Sequence, residues 1–193
     1  SSAASDVYKR QSKSGGGAVL DIGVHVIDLT WYLMGRPKPV LVTGVTHRHI
    51  GSYETRSVKG WAAAGAKNGV FDNEEAATAL IRFENGASMS VDISWAINGR
   101  EEKMFSKIYG TKGGASFKPL ELYGEENGFL TDTVPVLVPE DTWQPAFERE
   151  AAHFVDCVLD GKRPISSVYD GLTVQRMLNA IYDSDRLGTA IAL

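Results

Sequence analysis

Three acid and base side chains share one stripe of an apolar segment near the start of the chain. Asp21, His25 and Asp28 stand at positions i, i+4 and i+7, and Tyr32 extends the stripe. In an α-helix, at about 100° per residue, the first three fall within an arc of about 60°. Almost every other residue of the segment is apolar, so we expect a mostly buried helix whose polar stripe lines a cleft. Two carboxylates beside one imidazole hold a proton close to neutral pH, which suits general acid–base catalysis.

Two other interpretations of this stripe remain open from the residues alone. The same pattern fits the solvent-facing side of a helix that covers a sheet. Asp21 and His25 are also metal ligands by type, but no third ligand stands at a definite spacing from them.

The remaining candidate residues give weaker signals. His47 and His49 follow a predicted strand, where surface placement is the simpler interpretation. His153 and Cys157 lie on a predicted helix, as a satisfied histidine and a small buried hydrophobe, and no nucleophile motif includes them. Gly60 to Lys67 lacks the Lys-Ser/Thr ending of a phosphate-binding loop. Residues Gly110 to Gly114 favour a hairpin turn over an anion cradle.

The helices and strands that position the stripe are predicted from the periodicity of apolar residues and from residues that end helices. The segment 18–34 is predicted to be a helix because Gly35 and Pro37 follow it. Helical periodicity returns in 145–159, which Asp160 and Gly161 end. Ser167 and Asp170 resemble a capping box that opens a third helix, with Leu172, Leu178 and Ile181 inward and its end at Gly188.

Strands are predicted between the first and second helices. Residues 40–46 form the first, and 76–83 and 87–95 flank Asn85-Gly86, a dipeptide that favours a type I′ hairpin turn. Two more are expected over 104–109 and 115–123. The predicted fold class is α+β, with a large, mostly antiparallel β-sheet and helices packed on one face.

Composition narrows the class of protein. The chain has 193 residues, of which 43% are apolar and 23% charged, as expected of one globular domain. A net charge of −4 argues against nucleic-acid or anionic-membrane binding. No stretch is long and apolar enough to span a membrane, so we expect a cytoplasmic protein. Residues 1–14 are interpreted as a disordered or cloning-derived lead-in to a domain over 15–193, which leaves no room for a second, nucleotide-binding domain.

The sequence from Gly15 to Leu29, GGGAVLDIGVHVIDL, resembles the GGGxLxDxGxHxxDL signature of a known family. This signature opens the C-terminal domain of the glucose-fructose oxidoreductase / inositol dehydrogenase / rhizopine catabolism (Gfo/Idh/MocA) family. Similar patterns continue in Phe71 to Glu75, in the hairpin 79–87, in Ser94-Trp95-Ala96, in 110–115 and in 147–164. The resemblance therefore covers nearly all of residues 15–193.

The resemblance implies a fold and a function. It implies the C-terminal domain of that family, similar to the C-terminal domain of glyceraldehyde-3-phosphate dehydrogenase, with the N-terminal Rossmann domain absent from this chain. Asp21 and His25 match the family's catalytic Asp and His, while its Glu-Lys-Pro lysine has no counterpart here. NAD or NADP is expected to be bound mainly by the missing domain, with Gly16 and Gly17 the residues of this chain near the nicotinamide.

The resemblance also implies a substrate and partners. The expected function is hydride transfer between nicotinamide and a sugar, cyclitol or polyol hydroxyl, with this fragment inactive alone. His25 is expected to act as general base while Asp21 orients the substrate hydroxyl or the imidazole. A homo-oligomer is expected through the open sheet face that carries Ser88, Ser90, Asp92 and Ser94. Two alternatives remain: a non-catalytic sugar-binding, oligomerisation or regulatory module, and the family's NAD-dependent glycosidase branch.

Overall fold

The computed structural model describes residues 14–49, 72–98, 103–136 and 143–193. They divide into two compact units, Ser1–Lys103 with Leu172–Leu193 and Met104–Gly171. Every strand pair is antiparallel, which confirms the predicted α+β class. No helix in these ranges is long and apolar enough to cross a membrane. The predicted lead-in up to residue 13 and the stretch Gly60 to Lys67 lie outside the described residues.

The first unit is built on a four-stranded sheet. Its strands are β1 (Pro39–His47), β2 (Ala76–Phe83), β3 (Ser88–Ser94) and β8 (Ile191–Ala192), in the order β3-β2-β1-β8. Strands β2 and β3 alternate strictly between core and surface. In β2, Ala77, Ala79 and Ile81 are buried, while Thr78 and Leu80 point outward. The predicted first strand and the predicted hairpin are therefore confirmed.

Two helices share the core with this sheet. They are α1 (Val24–Leu33) and α3 (Val168–Leu187), the last helix of the chain. Helix α3 buries Leu178 and Ile181 as predicted, but Leu172, which was predicted to point inward, is 46% exposed. A Cβ on Gly44 of β1 would lie 2.8 Å from a methyl of Ile181, so the helix packs directly on the strand backbone. The helices therefore cover one face of the first sheet.

The predicted first helix begins with a single π-helical turn, Val19–Gly23, which continues into α1. Such turns are rare and often lie at functional sites. The helix ends in a Schellman motif, with the Arg36 N–H bonded to Trp31 O at 2.9 Å and the Gly35 N–H to Tyr32 O at 3.0 Å. The predicted end at Gly35 is therefore confirmed.

The turn between β2 and β3 differs from the type I′ prediction. A type I′ turn needs positive φ at both central residues, and of this pair only Gly86 has it, at 86°. The Gly86 N–H donates to Phe83 O at 3.0 Å and the Phe83 N–H to Ala87 O at 2.9 Å. The connection is thus a three-residue loop. The prediction of a type I′ turn was wrong because it did not take the register of the flanking strands into account.

The second unit contains another four-stranded sheet, whose strands are adjacent in chain order. The strand predicted over 115–123 is interrupted at residues 118–120, and a fourth strand was not predicted. Here Asn127 and Gly128 have φ of 54° and 84°, as in a type I′ turn. The strands are β4 (Ser106–Gly110), β5 (Gly113–Phe117), β6 (Glu121–Glu126) and β7 (Phe129–Thr133).

Helix α2 (Trp143–Asp160) also belongs to the second unit and includes the predicted span. Its apolar residues are exposed in the described structure, with Phe154 69% and Leu159 77% accessible. Beyond it the predicted capping box is present. The Ser167 N–H donates to Asp170 Oδ2 at 2.7 Å, and the Asp170 N–H donates to Ser167 Oγ at 3.3 Å. Both bonds satisfy amides that the first turn of α3 leaves unpaired.

Candidate functional site

The predicted acid–base pair lies on the accessible side of the first helix. The buried side of this helix carries Val19, Gly23 and Ile27, whereas Asp21 and His25 are both exposed. The described residues therefore do not close the cleft that the apolar content of the segment led us to expect. What they form is an open surface on which a carboxylate and an imidazole follow one another along the helix.

The rest of the stripe is also accessible. Asp28 is partly exposed and Tyr32 is 46% exposed. The Arg36 guanidinium lies 4.8 Å from the centroid of the Tyr32 ring, which is a cation–π contact. This end of the stripe is thus occupied by a local packing contact, and Asp21 and His25 remain the predicted acid–base pair.

Trp95 holds the Asp21 carboxylate. Its indole Nε1–H donates to Asp21 Oδ2 at 2.9 Å, across 74 positions of sequence. The backbone N–H of Trp95 donates in turn to Glu75 O at 2.7 Å, just beyond the end of β3. A hydrogen bond to an ionised carboxylate is stronger than a neutral one and fixes its orientation. The sequence resemblance included Trp95, but nothing in it pointed to this contact.

Glu74 is a buried carboxylate that sequence reasoning did not single out. It is fully inaccessible to solvent. The Gly17 N–H donates to both carboxylate oxygens, at 2.9 and 3.0 Å, and the Val19 N–H donates to Oε1 at 3.0 Å. The Ala18 N–H donates to Glu74 O at 3.2 Å. The first backbone amides of a helix have no partner within it, so an anion at this position is stabilised by them.

Tyr182 of α3 completes the surroundings of Glu74. Its hydroxyl donates to Glu74 Oε1 at 2.7 Å. Burial and this hydrogen bond both raise the pKa of Tyr182 far above its ordinary value. The phenol therefore remains a hydrogen-bond donor throughout the physiological pH range. The contact joins the last helix of the chain to the start of the first.

Gly16 and Gly17 are buried against these two side chains. A Cβ on Gly16 would lie 2.4 Å from the Tyr182 hydroxyl oxygen, and one on Gly17 would lie 2.1 Å from Glu74 O. Neither position has room for a side chain. The requirement for glycine at both positions thus follows from contacts within this chain, and proximity of Gly16 and Gly17 to nicotinamide remains a prediction.

The weaker candidates lie elsewhere. His153 Nε2 accepts the Ile165 N–H at 3.1 Å and lies 3.5 Å from Cys157 Sγ, so this histidine has a structural partner as expected. Gly110 pairs with Gly113 across the β4–β5 turn, which confirms the hairpin interpretation. In the described ranges, no group of three or more His, Cys, Asp or Glu is placed to hold a metal ion.

Comparison with known proteins identifies the family. A family profile described as "Oxidoreductase family, C-terminal alpha/beta domain" matches residues 3–193. The chain belongs to the Gfo/Idh/MocA oxidoreductase family. Its match to this family is therefore to the C-terminal alpha/beta domain, as the signature around Asp21 and His25 had implied.

Individual family members extend this comparison. The chain is 26% identical over 189 residues to D-glucoside 3-dehydrogenase from Escherichia coli, covering 97% of this chain and 52% of that protein. An oxidoreductase domain protein from Kribbella flavida matches in structure with a TM-score of 0.79, at 24% identity, over 96% of this chain and 52% of that one. A levoglucosan dehydrogenase in complex with NADH and levoglucosan gives 0.78, at 22% identity, over 97% and 53%. The Gfo/Idh/MocA chain described here thus spans about half the length of the relatives it matches.

Proposed function

We propose that this chain is the substrate-binding half of a nicotinamide-dependent dehydrogenase that acts on a sugar, cyclitol or polyol hydroxyl. One observation carries the proposal: Asp21 and His25 are accessible on one helix, and Trp95 orients the carboxylate through a 2.9 Å hydrogen bond. An accessible carboxylate, imidazole and indole are the groups that bind and deprotonate a polyhydroxylated ligand. Two of the relatives named above carry the names of carbohydrate substrates, a D-glucoside and levoglucosan, which agrees with this substrate class.

In the proposed reaction a secondary alcohol is oxidised to a ketone. The carbon loses a hydride while its hydroxyl oxygen loses a proton, because a protonated ketone is too high in energy to accumulate. An imidazole nitrogen of His25 takes that proton as general base. Asp21 accepts a hydrogen bond from a substrate hydroxyl or orients the imidazole, with one carboxylate oxygen already fixed by Trp95. In the reductive direction His25 returns the proton.

NAD or NADP, when bound, supplies the hydride acceptor at C4 of its nicotinamide ring. The described sheets of this chain are antiparallel throughout, whereas dinucleotides bind at the carboxyl ends of parallel strands. The open Asp21–His25 surface suits a substrate that lies between this chain and a cofactor held by another domain. We therefore assign the nucleotide to a separate domain of the complete protein, which the family resemblance implies is N-terminal to this one.

The test is an assay of the complete protein that contains this chain. We expect net reduction of NAD⁺ or NADP⁺ with at least one member of a panel of aldoses, glucosides, anhydrosugars and cyclitols, and we expect this chain alone to transfer no hydride. Free sugar released from glucosides with no net NADH would favour the glycosidase branch instead. Ligand binding without any turnover would favour a regulatory module and would contradict the proposal.

We also propose that the outer face of the first sheet packs against a second copy of the chain. The resemblance implies this contact, and the face is open in the described structure. Two apolar side chains lie on it, Val45 at 49% and Leu80 at 46% exposure, beside Arg82, Ser88 and Asp92. An exposed apolar pair bordered by polar groups is typical of a subunit contact.

A charge placed on this face tests the proposed contact. We expect the complete protein to be a dimer or larger oligomer in light scattering coupled to gel filtration, and Leu80→Arg to shift it toward the monomer. Gln175→Arg, on the exposed side of α3, is the control and should leave the mass unchanged. A wild-type protein that runs as a monomer at micromolar concentration would contradict the contact.

A further inference from the structure

We infer that Glu74 is the positioning residue of the active site, and that it acts through the Gly17 peptide on Asp21. This inference rests on the proposed function, because it takes Asp21 and His25 as the catalytic pair. Glu74 is a fully buried carboxylate that the proposed reaction does not use. The hydrogen bonds of the Glu74 carboxylate indicate its role in this chain.

A continuous path of hydrogen bonds leads from Glu74 to the catalytic carboxylate. The Glu74 carboxylate accepts the Gly17 N–H at 2.9 Å, and Gly17 O accepts the Asp21 N–H at 3.0 Å. Both ends of the Gly17 residue are thus held, one by Glu74 and one by Asp21. The Asp21 backbone lies in the π-helical turn Val19–Gly23, and the Val19 N–H that opens this turn donates to Glu74 Oε1 at 3.0 Å. Displacement of Glu74 would therefore displace the turn that carries Asp21.

The same short segment holds the partner of Asp21. Glu75 O accepts the Trp95 N–H at 2.7 Å, and the Trp95 indole bonds to Asp21. Residues 74 and 75 consequently fix both members of the Asp21–Trp95 pair from adjacent positions of one segment. The Glu75 N–H bonds to His47 O at 3.0 Å, which ties the segment to the end of β1. A rigid connection of this kind keeps a catalytic group within the small tolerance that proton transfer requires.

Charge distinguishes Glu74 from an ordinary packing residue. A neutral amide in its place has one acceptor oxygen and presents N–H donors, whereas three backbone N–H bonds and the Tyr182 hydroxyl all converge on the two carboxylate oxygens. In either orientation of a Gln amide, its NH2 group would face the Gly17 N–H, so two buried donors would oppose each other. The turn would then have to move to relieve the mismatch.

The experiment compares Glu74→Gln with Glu84→Gln in the complete protein. Glu84 is an exposed carboxylate in the β2–β3 loop, so it receives the same change without the buried contacts. We expect Glu74→Gln to lower kcat by about 10²-fold, the usual effect of misplacing a catalytic group by about 1 Å, with a smaller change in KM. Glu84→Gln should leave both unchanged.

A spectroscopic signal separates positioning from loss of stability. The Trp95 indole N–H resonance, assigned through its absence in Trp95→Phe, reports the bond to Asp21. We expect it to shift in Glu74→Gln toward its position in Asp21→Asn, at a temperature where the variant is folded by circular dichroism. If Glu74→Gln does not fold, Tyr182→Phe takes its place, and we expect a smaller change in the same direction.

Two results would overturn the inference. One is an unchanged, wild-type Trp95 indole resonance in folded Glu74→Gln. If Glu74→Gln does not fold, the same result in Tyr182→Phe has the same meaning. The other is a lower melting temperature with an unchanged kcat measured well below it, since that would make Glu74 only a stabilising residue. A complete protein without dehydrogenase activity would refute the proposed function instead, and the indole resonance would still decide the role of Glu74.

Discussion

Replacement of His25 by alanine is expected to lower kcat of the complete protein by about 10²- to 10⁴-fold, the usual contribution of a general acid–base group. The physical reason is that hydride loss from an alcohol carbon must be accompanied by loss of the hydroxyl proton. Without the imidazole that proton has only water as its acceptor. His25 lies on the open side of α1, so its removal leaves no cavity in the core and the variant should remain folded.

The measurement is steady-state kinetics at saturating substrate and cofactor. Asp28→Asn, a partly exposed carboxyl one turn further along the same helix, is the control, and we expect it to change kcat only a few-fold. A kcat of His25→Ala equal to that of the wild type would remove His25 from the reaction. A rise in KM with kcat unchanged would assign it to substrate binding alone.

The helix that carries the proposed catalytic pair could be predicted from the sequence, but its supporting contacts could not. Asp21 and His25 stand out because a local pattern places two ionisable groups in an apolar segment. Glu74 contacts Gly17 across 57 positions and Trp95 contacts Asp21 across 74, and no local pattern encodes either distance. The helix was predicted to be mostly buried, with its polar stripe lining a cleft, whereas the structure buries the side that carries Gly23 and Ile27 and leaves Asp21 and His25 exposed.

The two Asn-Gly dipeptides show how register decides a turn. In the first sheet the buried partners are Ile81 with Met89 and Ala79 with Val91. A two-residue turn at Asn85-Gly86 would pair Ile81 with Ser90 and place a core residue opposite a surface one. The three-residue loop keeps apolar residues opposite each other, so the apolar alternation already present in the sequence excludes the type I′ turn predicted there.

The other dipeptide forms the turn that was predicted for the first. Glu126 pairs directly with Phe129, which leaves Asn127 and Gly128 as the two residues of the loop. Strand β7 was missed because the residues after this turn lack a strong alternation of apolar and polar side chains. Turn residues in the sequence therefore indicate where a hairpin turn lies. The loop length is determined by the register that pairs buried residues of the two flanking strands.

Substitution of Gly17 by alanine is expected to destabilise the fold by about 3 kcal/mol, at the upper end of the usual cost of overpacking. A Cβ at this position would lie 2.1 Å from the backbone oxygen of Glu74 and 2.9 Å from its carboxyl carbon. The nearest atom belongs to the main chain, so no side-chain rotation relieves the contact. Either the π-helical turn or the residue 74 segment must move, and the Gly17 N–H bonds to Glu74 are then lost.

The matched control is Gly171→Ala, in the first turns of α3. In the described part of the chain, no atom beyond the adjacent residues and the backbone of α3 itself lies within 4 Å of a Cβ at Gly171, and alanine is preferred to glycine in a helix by about 0.5–1 kcal/mol. The same chemical change should therefore stabilise the protein at residue 171 and destabilise it at residue 17, as measured by urea denaturation. Because Gly17 O also accepts the Asp21 N–H, Gly17→Ala should displace Asp21 and lower kcat in the folded protein. Equal and small effects at the two positions would mean that the turn yields easily, and that Glu74 does not hold it in place.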